Sequence, residues 1–369
     1  MQTTGRAERQ SNIELLRIIA MLMIIICHFS THGGFQFPSG ELTVNRLWTQ
    51  CLTFGGNLGV DIFVLISGYF LIGSTAFRTD KALKLALQIF TYSILLLAVF
   101  TLAGVNPYGI RMVINCLFPI TYSGWWFAST YFVLYLISPY LNKLLRGLDK
   151  QDYQKMLALL TVCWCVIPTF FGSAYGSNYL LWFAYLYAVS AYVRLHVNKI
   201  AIGPKTAFLG AFAAMLTACL GMVISDLFES KIPAAGKLAA YVIHMQRLPT
   251  VLTALFLFLG FLQIDIGCNR AVNQISSATF GVYLIHENNF VRPFLWGTLF
   301  QNASFSHSPF LIPYSLAAAL IVFVCCTLIE LFRIAVLEKH YMGLVKRVSL
   351  YIDSRIERLF PSELSHKSS

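Results

Sequence analysis

Arg17 and His28 stand eleven residues apart in a nearly unbroken apolar run from Ile13 to Phe29. At about 100° and about 1.5 Å per residue, a helix returns His28 to within about 20° of Arg17, roughly 16 Å further along the axis. Glu14, three residues before Arg17, joins the same stripe. One helical face thus carries a carboxylate, a guanidinium and, about half a bilayer away, an imidazole. Ionisable groups in an apolar span are costly and mark functional pathways by default. Each also has a plainer reading: Arg17 can snorkel to an interface, and His28 can hydrogen-bond a neighbouring helix.

Asp61 lies in Gly59-Val-Asp-Ile-Phe-Val-Leu-Ile-Ser67-Gly68-Tyr69. At the depth expected for His28, its carboxylate can orient the imidazole and stabilise the imidazolium. The alternative is an acid favoured by a helix N-terminus. Ser67-Gly68 reads as close helix packing rather than a nucleophile. Arg78, Lys81 and Lys84 recur every three residues and form a ridge suited to phosphate groups, or equally a positive anchor at the inner surface. Trp125-Trp126-Phe127, followed by Tyr131, Tyr135 and Ser138-Pro139, is either an aromatic belt or a platform for stacking on a sugar. His286 and Glu287, at the end of Gly281-Val-Tyr-Leu-Ile-His286, bring a second imidazole and a carboxylate to the outer side, where an interfacial polar pair is the alternative.

These residues need elements that hold them in a membrane. The chain has 369 residues, 57% hydrophobic and only 12% charged, where a soluble domain carries about 25% charged residues. The composition predicts an all-α polytopic membrane helix bundle. Spans of about 17–25 residues place ten helices at 13–31, 52–74, 84–105, 125–143, 156–172, 178–196, 206–225, 249–264, 275–290 and 309–335. With both termini cytoplasmic, twenty basic residues fall in inner segments and six in outer ones, with Arg17 inside the first span. That asymmetry follows the positive-inside rule and accounts for the net charge of +11 without nucleic acid. No segment reads as a cleavable signal peptide. Nine cysteines, mostly within apolar spans, fit neither a disulfide framework nor a metal site. Residues 1–337 form the expected membrane domain. Residues 338–369 read as a cytoplasmic basic tail, either an amphipathic helix on the inner leaflet or a solvated segment. No nucleotide-binding glycine loop, His-Glu-x-x-His run or Gly-x-Ser-x-Gly elbow is present.

Taken together, Glu14, the Arg17-x10-His28 run, the segment 59–69, Tyr-Leu-Ile-His at 283–286 and the Trp-Trp-Phe…Ser-Pro segment at 125–139 resemble the integral-membrane acyltransferase family 3. The resemblance implies a ten-helix bacterial inner-membrane O-acyltransferase that takes acetyl, or another acyl group, from cytosolic acetyl-CoA. Its acceptor would be a hydroxyl of a surface polysaccharide or a polyprenyl-linked oligosaccharide. It implies that His28 is the essential histidine and general base, Arg17 its partner at the thioester, and Glu14 the acid before it, where the family often has Asp. The family's Arg-x-x-Arg stretch corresponds to Arg78, Lys81 and Lys84, which would meet the donor's phosphates, although lysine lacks the bidentate fork of arginine. Trp125, Trp126, His286 and Glu287 are the expected acceptor-side residues, and no metal is expected. A carrier or flippase for a lipid-linked sugar, or a sensor within a glycan assembly complex, are the competing readings. A homo-oligomer stays open.

Overall fold

Backbone polar groups among apolar surroundings must be paired within the chain, which a helix does segment by segment. A computed structural model describes residues 10–38, 42–74, 77–104, 109–122, 124–172, 175–229, 231–232, 238 and 241–359, and helix is the only regular structure among these described residues. The helices are α1 (Ser11–Thr31), α2 (Val44–Leu71), α3 (Thr79–Leu102), α4 (Ile110–Leu117), α5 (Trp126–Gly147), α6 (Lys150–Phe171), α7 (Tyr179–His196), α8 (Pro204–Glu229), α9 (Leu248–Gln263), α10 (Arg270–His286), α11 (Leu311–Arg333) and α12 (Lys339–Leu359). Arg6, Arg9, Lys237 and Lys367 of the charge pattern, and the last ten residues of the tail, lie outside the described residues.

A helix occupies each of the ten expected segments. Six stretches are long and apolar enough to cross a membrane: α1, α2, α3, α6, α8 and the continuous Leu311–Leu359; α9 is apolar but shorter. The remaining helices fall short for a physical reason. α7 buries Trp182, Phe183, Leu186 and Tyr187 completely, and α10 buries Ser276, Thr279 and His286. Helices enclosed by others need no apolar outer face, so they carry tyrosines, hydroxyls and an imidazole instead. α5 ends in Lys143 and Arg146.

α1 packs against α2, α9, α10 and α11. Its approach to α2 depends on Gly59, where an added Cβ would stand 2.7 Å from the Ala20 carbonyl oxygen. Gly68 does the same service for α2 against α7, since a Cβ there would lie 2.7 Å from Tyr187 Cα. Small residues of this kind let helix backbones close up in membranes. α2 starts at Val44, earlier than its apolar content indicates, because the Thr43 hydroxyl accepts the Arg46 amide at 3.2 Å and caps it.

Three π-helical turns occur among the described residues; one is Pro293–Leu299, and the other two shape the long helices. α6 contains a π-helical turn, Val162–Val166, just before Pro168, whose missing N–H breaks the regular ladder. The other, Ile334–Glu338, joins α11 to α12 and brings Glu338 back to within 2.9 Å of Arg333 Nη2. α12 docks on α3, where the Thr79 hydroxyl donates to Asp353 at 2.5 Å, with Val345 and Ser349 buried beneath it and Leu344 and Tyr351 exposed.

Candidate active site

Two clusters of ionisable groups lie at opposite ends of α1. At its start, Arg17 Nη1 is 3.3 Å from Glu14 Oε2, and Glu14 also accepts a hydrogen bond from Ser276 of α10. Glu14 is therefore fixed from two sides and holds the guanidinium in turn. Arg17 is the partly exposed member and lines a cavity of about 490 Å³ with Ser67, Lys84, Gln88, Tyr131, Ser276 and Glu338. One wall of that cavity is a buried charge network. Arg333 grips Glu330 at 2.7 and 2.8 Å, Glu330 accepts from Gln88 and Tyr92, and Glu338 bridges Arg333 and Lys84. Buried charges survive when paired and hydrogen-bonded in this way.

At the other end of α1, four further ionisable groups gather around His28. Its Nδ1 is 2.9 Å from His286 Nε2 and 3.1 Å from Glu287 Oε2. The same carboxylate oxygen lies 3.3 Å from His32 Nε2, and Arg292 donates to the other oxygen at 2.8 Å. Hydrogen-bond logic sets the tautomers. His286 Nδ1 is 2.6 Å from the Val282 carbonyl, which only accepts, so Nδ1 carries the proton and Nε2 the lone pair. His28 Nδ1–H then donates to His286 Nε2, with the Glu287 carboxylate close beside it, and His28 Nε2 is left with a lone pair and no hydrogen-bond partner among the described residues. An imidazole held this way is ready to take a proton. It lines a mostly apolar cavity of about 90 Å³ with Met21, Cys27, Asn57, Val60, Trp126, Met245 and Tyr283. Phe63, Phe127 and Phe280 line both this cavity and the Arg17 cavity, so the two compartments meet at an aromatic partition.

The donor atoms of His28, His32 and Glu287 all lie within 4.8 Å of one another, a spacing that suits a divalent cation. The Arg292 guanidinium already answers the carboxylate's charge.

The expectation that Asp61 orients His28 is not met. α2 turns Asp61 toward α7, where it is fully buried and accepts from the Trp182 indole N–H at 3.0 Å. Glu287 stands at His28 instead. The expected basic ridge is also divided. Arg78 and Lys81 line a cavity of about 210 Å³ together with Lys143 and Arg146 of α5, whereas Lys84 belongs to the Arg17 cavity. Trp126 lines the His28 cavity and packs on Tyr179 with ring centroids 4.5 Å apart. Trp125 is buried and is not among that cavity's walls.

Sequence reasoning passed over His32, Arg292, Lys143, Arg146, Glu330, Arg333 and Glu338. His32 had a local signal, one helical turn beyond His28. Arg292, five residues after Glu287, and the Glu330–Arg333 i, i+3 pair are local as well, whereas Lys143 and Arg146 meet Arg78 and Lys81, and Glu338 meets Lys84, across long stretches of sequence.

A helical bundle with apolar outer helices, an imidazole–carboxylate pair at one end and basic cavities at the other is that of a multi-pass membrane protein. Residues 10–331 match the family model described as an acyltransferase domain, of the acyltransferase 3 type, and the chain belongs to that family. It is a membrane acyltransferase. Comparison with curated proteins and with solved structures gives no match.

Proposed function

We propose that this chain transfers an acetyl group from cytosolic acetyl-CoA to a sugar hydroxyl of a surface polysaccharide or its lipid-linked repeat unit, in the bacterial inner membrane. The topology that goes with this reading has ten crossings and both termini in the cytoplasm. The observation that carries it is the order of the cavities. A basic one holds Arg78, Lys81, Lys143 and Arg146, the next holds Arg17 and Lys84, and the third, beyond the aromatic partition, holds His28. That order matches a donor with a phosphate-rich head and a thioester at the far end of a long arm. Guanidinium and ammonium groups suit the phosphates, and Arg17 steadies the arm near the thioester.

The acceptor hydroxyl attacks the thioester carbonyl carbon while His28 Nε2 takes its proton, and Glu287 stabilises the imidazolium that forms. Collapse of the tetrahedral intermediate expels the CoA thiolate, which recovers that proton. The thioester supplies its own good leaving group, so the protein's part is positioning, proton transfer and charge stabilisation. Trp126, at the cavity wall, offers the acceptor sugar an aromatic face.

The test uses membranes carrying wild type or His28→Ala at matched abundance, incubated with radiolabelled acetyl-CoA, and follows label into lipid-linked and polymeric glycan. Label with wild type that vanishes in the variant is the expected outcome. Equal label in both sinks the role of His28. Absence of label with every acyl-CoA tried, alongside wild-type transport of a lipid-linked sugar, replaces transfer by carriage.

A further inference from the structure

Acyl transfer creates negative charge on the thioester oxygen, and nothing described so far answers it. Tyr283 lines the His28 cavity from α10, three residues before His286, and its ring lies 6.2 Å from the His286 ring and 5.5 Å from Phe127. The side chain is 3% exposed, yet its hydroxyl proton has no acceptor among the described residues.

A buried hydroxyl without an acceptor is unfavourable, and native structures keep few of them without cause. Two other polar side chains of this cavity already have a task. The Asn57 side chain donates to the Ile243 carbonyl at 3.0 Å, and His28 acts as the base. Tyr283 also sits on an enclosed helix wedged between Phe127 and His286, so its hydroxyl is held without needing to reorganise during the reaction. Preorganised donors of this kind contribute most when they face the charge that develops in the transition state.

We infer that the Tyr283 hydroxyl is a catalytic oxyanion donor: it hydrogen-bonds the thioester oxygen as the tetrahedral intermediate forms in the His28 cavity. The step balances within the proposed reaction. The acceptor oxygen bonds to the carbonyl carbon, its proton passes to His28 Nε2, and the carbonyl π pair moves to the oxygen that Tyr283 contacts. When the C–S bond breaks, that oxygen returns to a carbonyl, and the CoA thiolate takes the proton from His28 and leaves as the thiol, returning His28 to its neutral form. The inference rests on the acyl-transfer reading.

Tyr283→Phe removes the hydroxyl and keeps the ring. Two measurements are made on matched preparations: thermal stability of the purified protein in detergent, and transfer from radiolabelled acetyl-, propionyl- and succinyl-CoA into lipid-linked glycan in membranes. The expected result is a kcat about 100-fold lower, a KM for the acyl-CoA within about threefold of wild type, and an unchanged or higher Tm, because an unpaired polar group has been removed. Retained kcat overturns the inference and leaves acyl transfer standing. A fall in activity that follows a fall in Tm, with KM rising in step, assigns Tyr283 to structure and also overturns it. Wild type that transfers none of the three groups overturns the acyl-transfer reading itself, and this role with it.

Discussion

The contrast between Asp61 and Glu287 turns on what each carboxylate touches. Asp61 is a buried acceptor for one indole N–H, whereas Glu287 has His28 and His32 on one oxygen and Arg292 on the other. Side-chain exposure is 15% at His28, 7% at Glu287 and 30% at His32, so the carboxylate is sheltered between the His28 ring inside and the His32 ring nearer the surface. Glu287→Gln keeps the volume but withdraws the charge that steadies an imidazolium. Its kcat should fall by about 100-fold or more, in the range of general acid–base contributions. Asp61→Asn should alter kcat per folded molecule far less and show its effect in Tm. Parallel kinetics on membranes at matched abundance check both, and an Asp61→Asn loss as deep as that of Glu287→Gln would return the orienting role to Asp61. His32→Gln leaves the His28–Glu287 contact in place, so a loss intermediate between the two is expected.

Helices were the legible layer of this sequence, because an apolar run can satisfy its backbone in a membrane in few other ways. α1 was readable almost to its ends, and with it the shared face of Glu14, Arg17 and His28. What stayed hidden was whatever depended on rotation about a helix axis or on a distant partner. Asp61 was correctly set in α2, but the side of α2 that meets α7 is decided by packing at Gly68 and Trp182. Lys143 and Arg146 read as inner-surface charges, yet α5 folds them against Arg78 and Lys81. Glu330 and Arg333 stand in an apolar stretch as an i, i+3 pair whose purpose appears only once Gln88 and Tyr92 of α3 are beside them. The short amphipathic α4, which exposes Ile110 and Leu117, was too brief to register as a span. Close approach of α1 and α2 holds His28 beside its cavity, and at Gly59 the α2 backbone meets the Ala20 carbonyl of α1 directly. Gly59→Ala asks the Ala20 backbone to move, and overpacking of this kind costs about 1–3 kcal/mol. A lower Tm is expected, together with reduced acyl transfer from a displaced His28. Unchanged stability would mean that the helices have slack at this crossing.

Across the whole molecule, the proposed reaction assigns each end of the donor to a different cavity, and this makes the two ends separately testable. Lys81 lines the basic cavity beside Arg78, which is itself held by Asp80 at 2.6 and 3.0 Å. Arg146 is tied to the backbone carbonyls of Ile72 and Ser74, so its loss would disturb folding and binding together. Among the described residues Lys81 makes no side-chain hydrogen bond or ion pair, so its replacement chiefly removes a charge. A partly exposed cation facing phosphate contributes on the order of 1 kcal/mol at moderate ionic strength. Lys81→Ala should therefore raise the KM for acetyl-CoA about fivefold with kcat nearly unchanged, the pattern of an interaction made equally in ground and transition states. Acetyl-pantetheine carries the same thioester on the same arm without the nucleotide phosphates. With that donor, wild type and Lys81→Ala should behave alike, while His28→Ala stays inactive with either donor. A Lys81→Ala defect of equal size with both donors would place Lys81 outside phosphate binding, and would require the donor's head to enter by another route than the cavity bounded by α3 and α5.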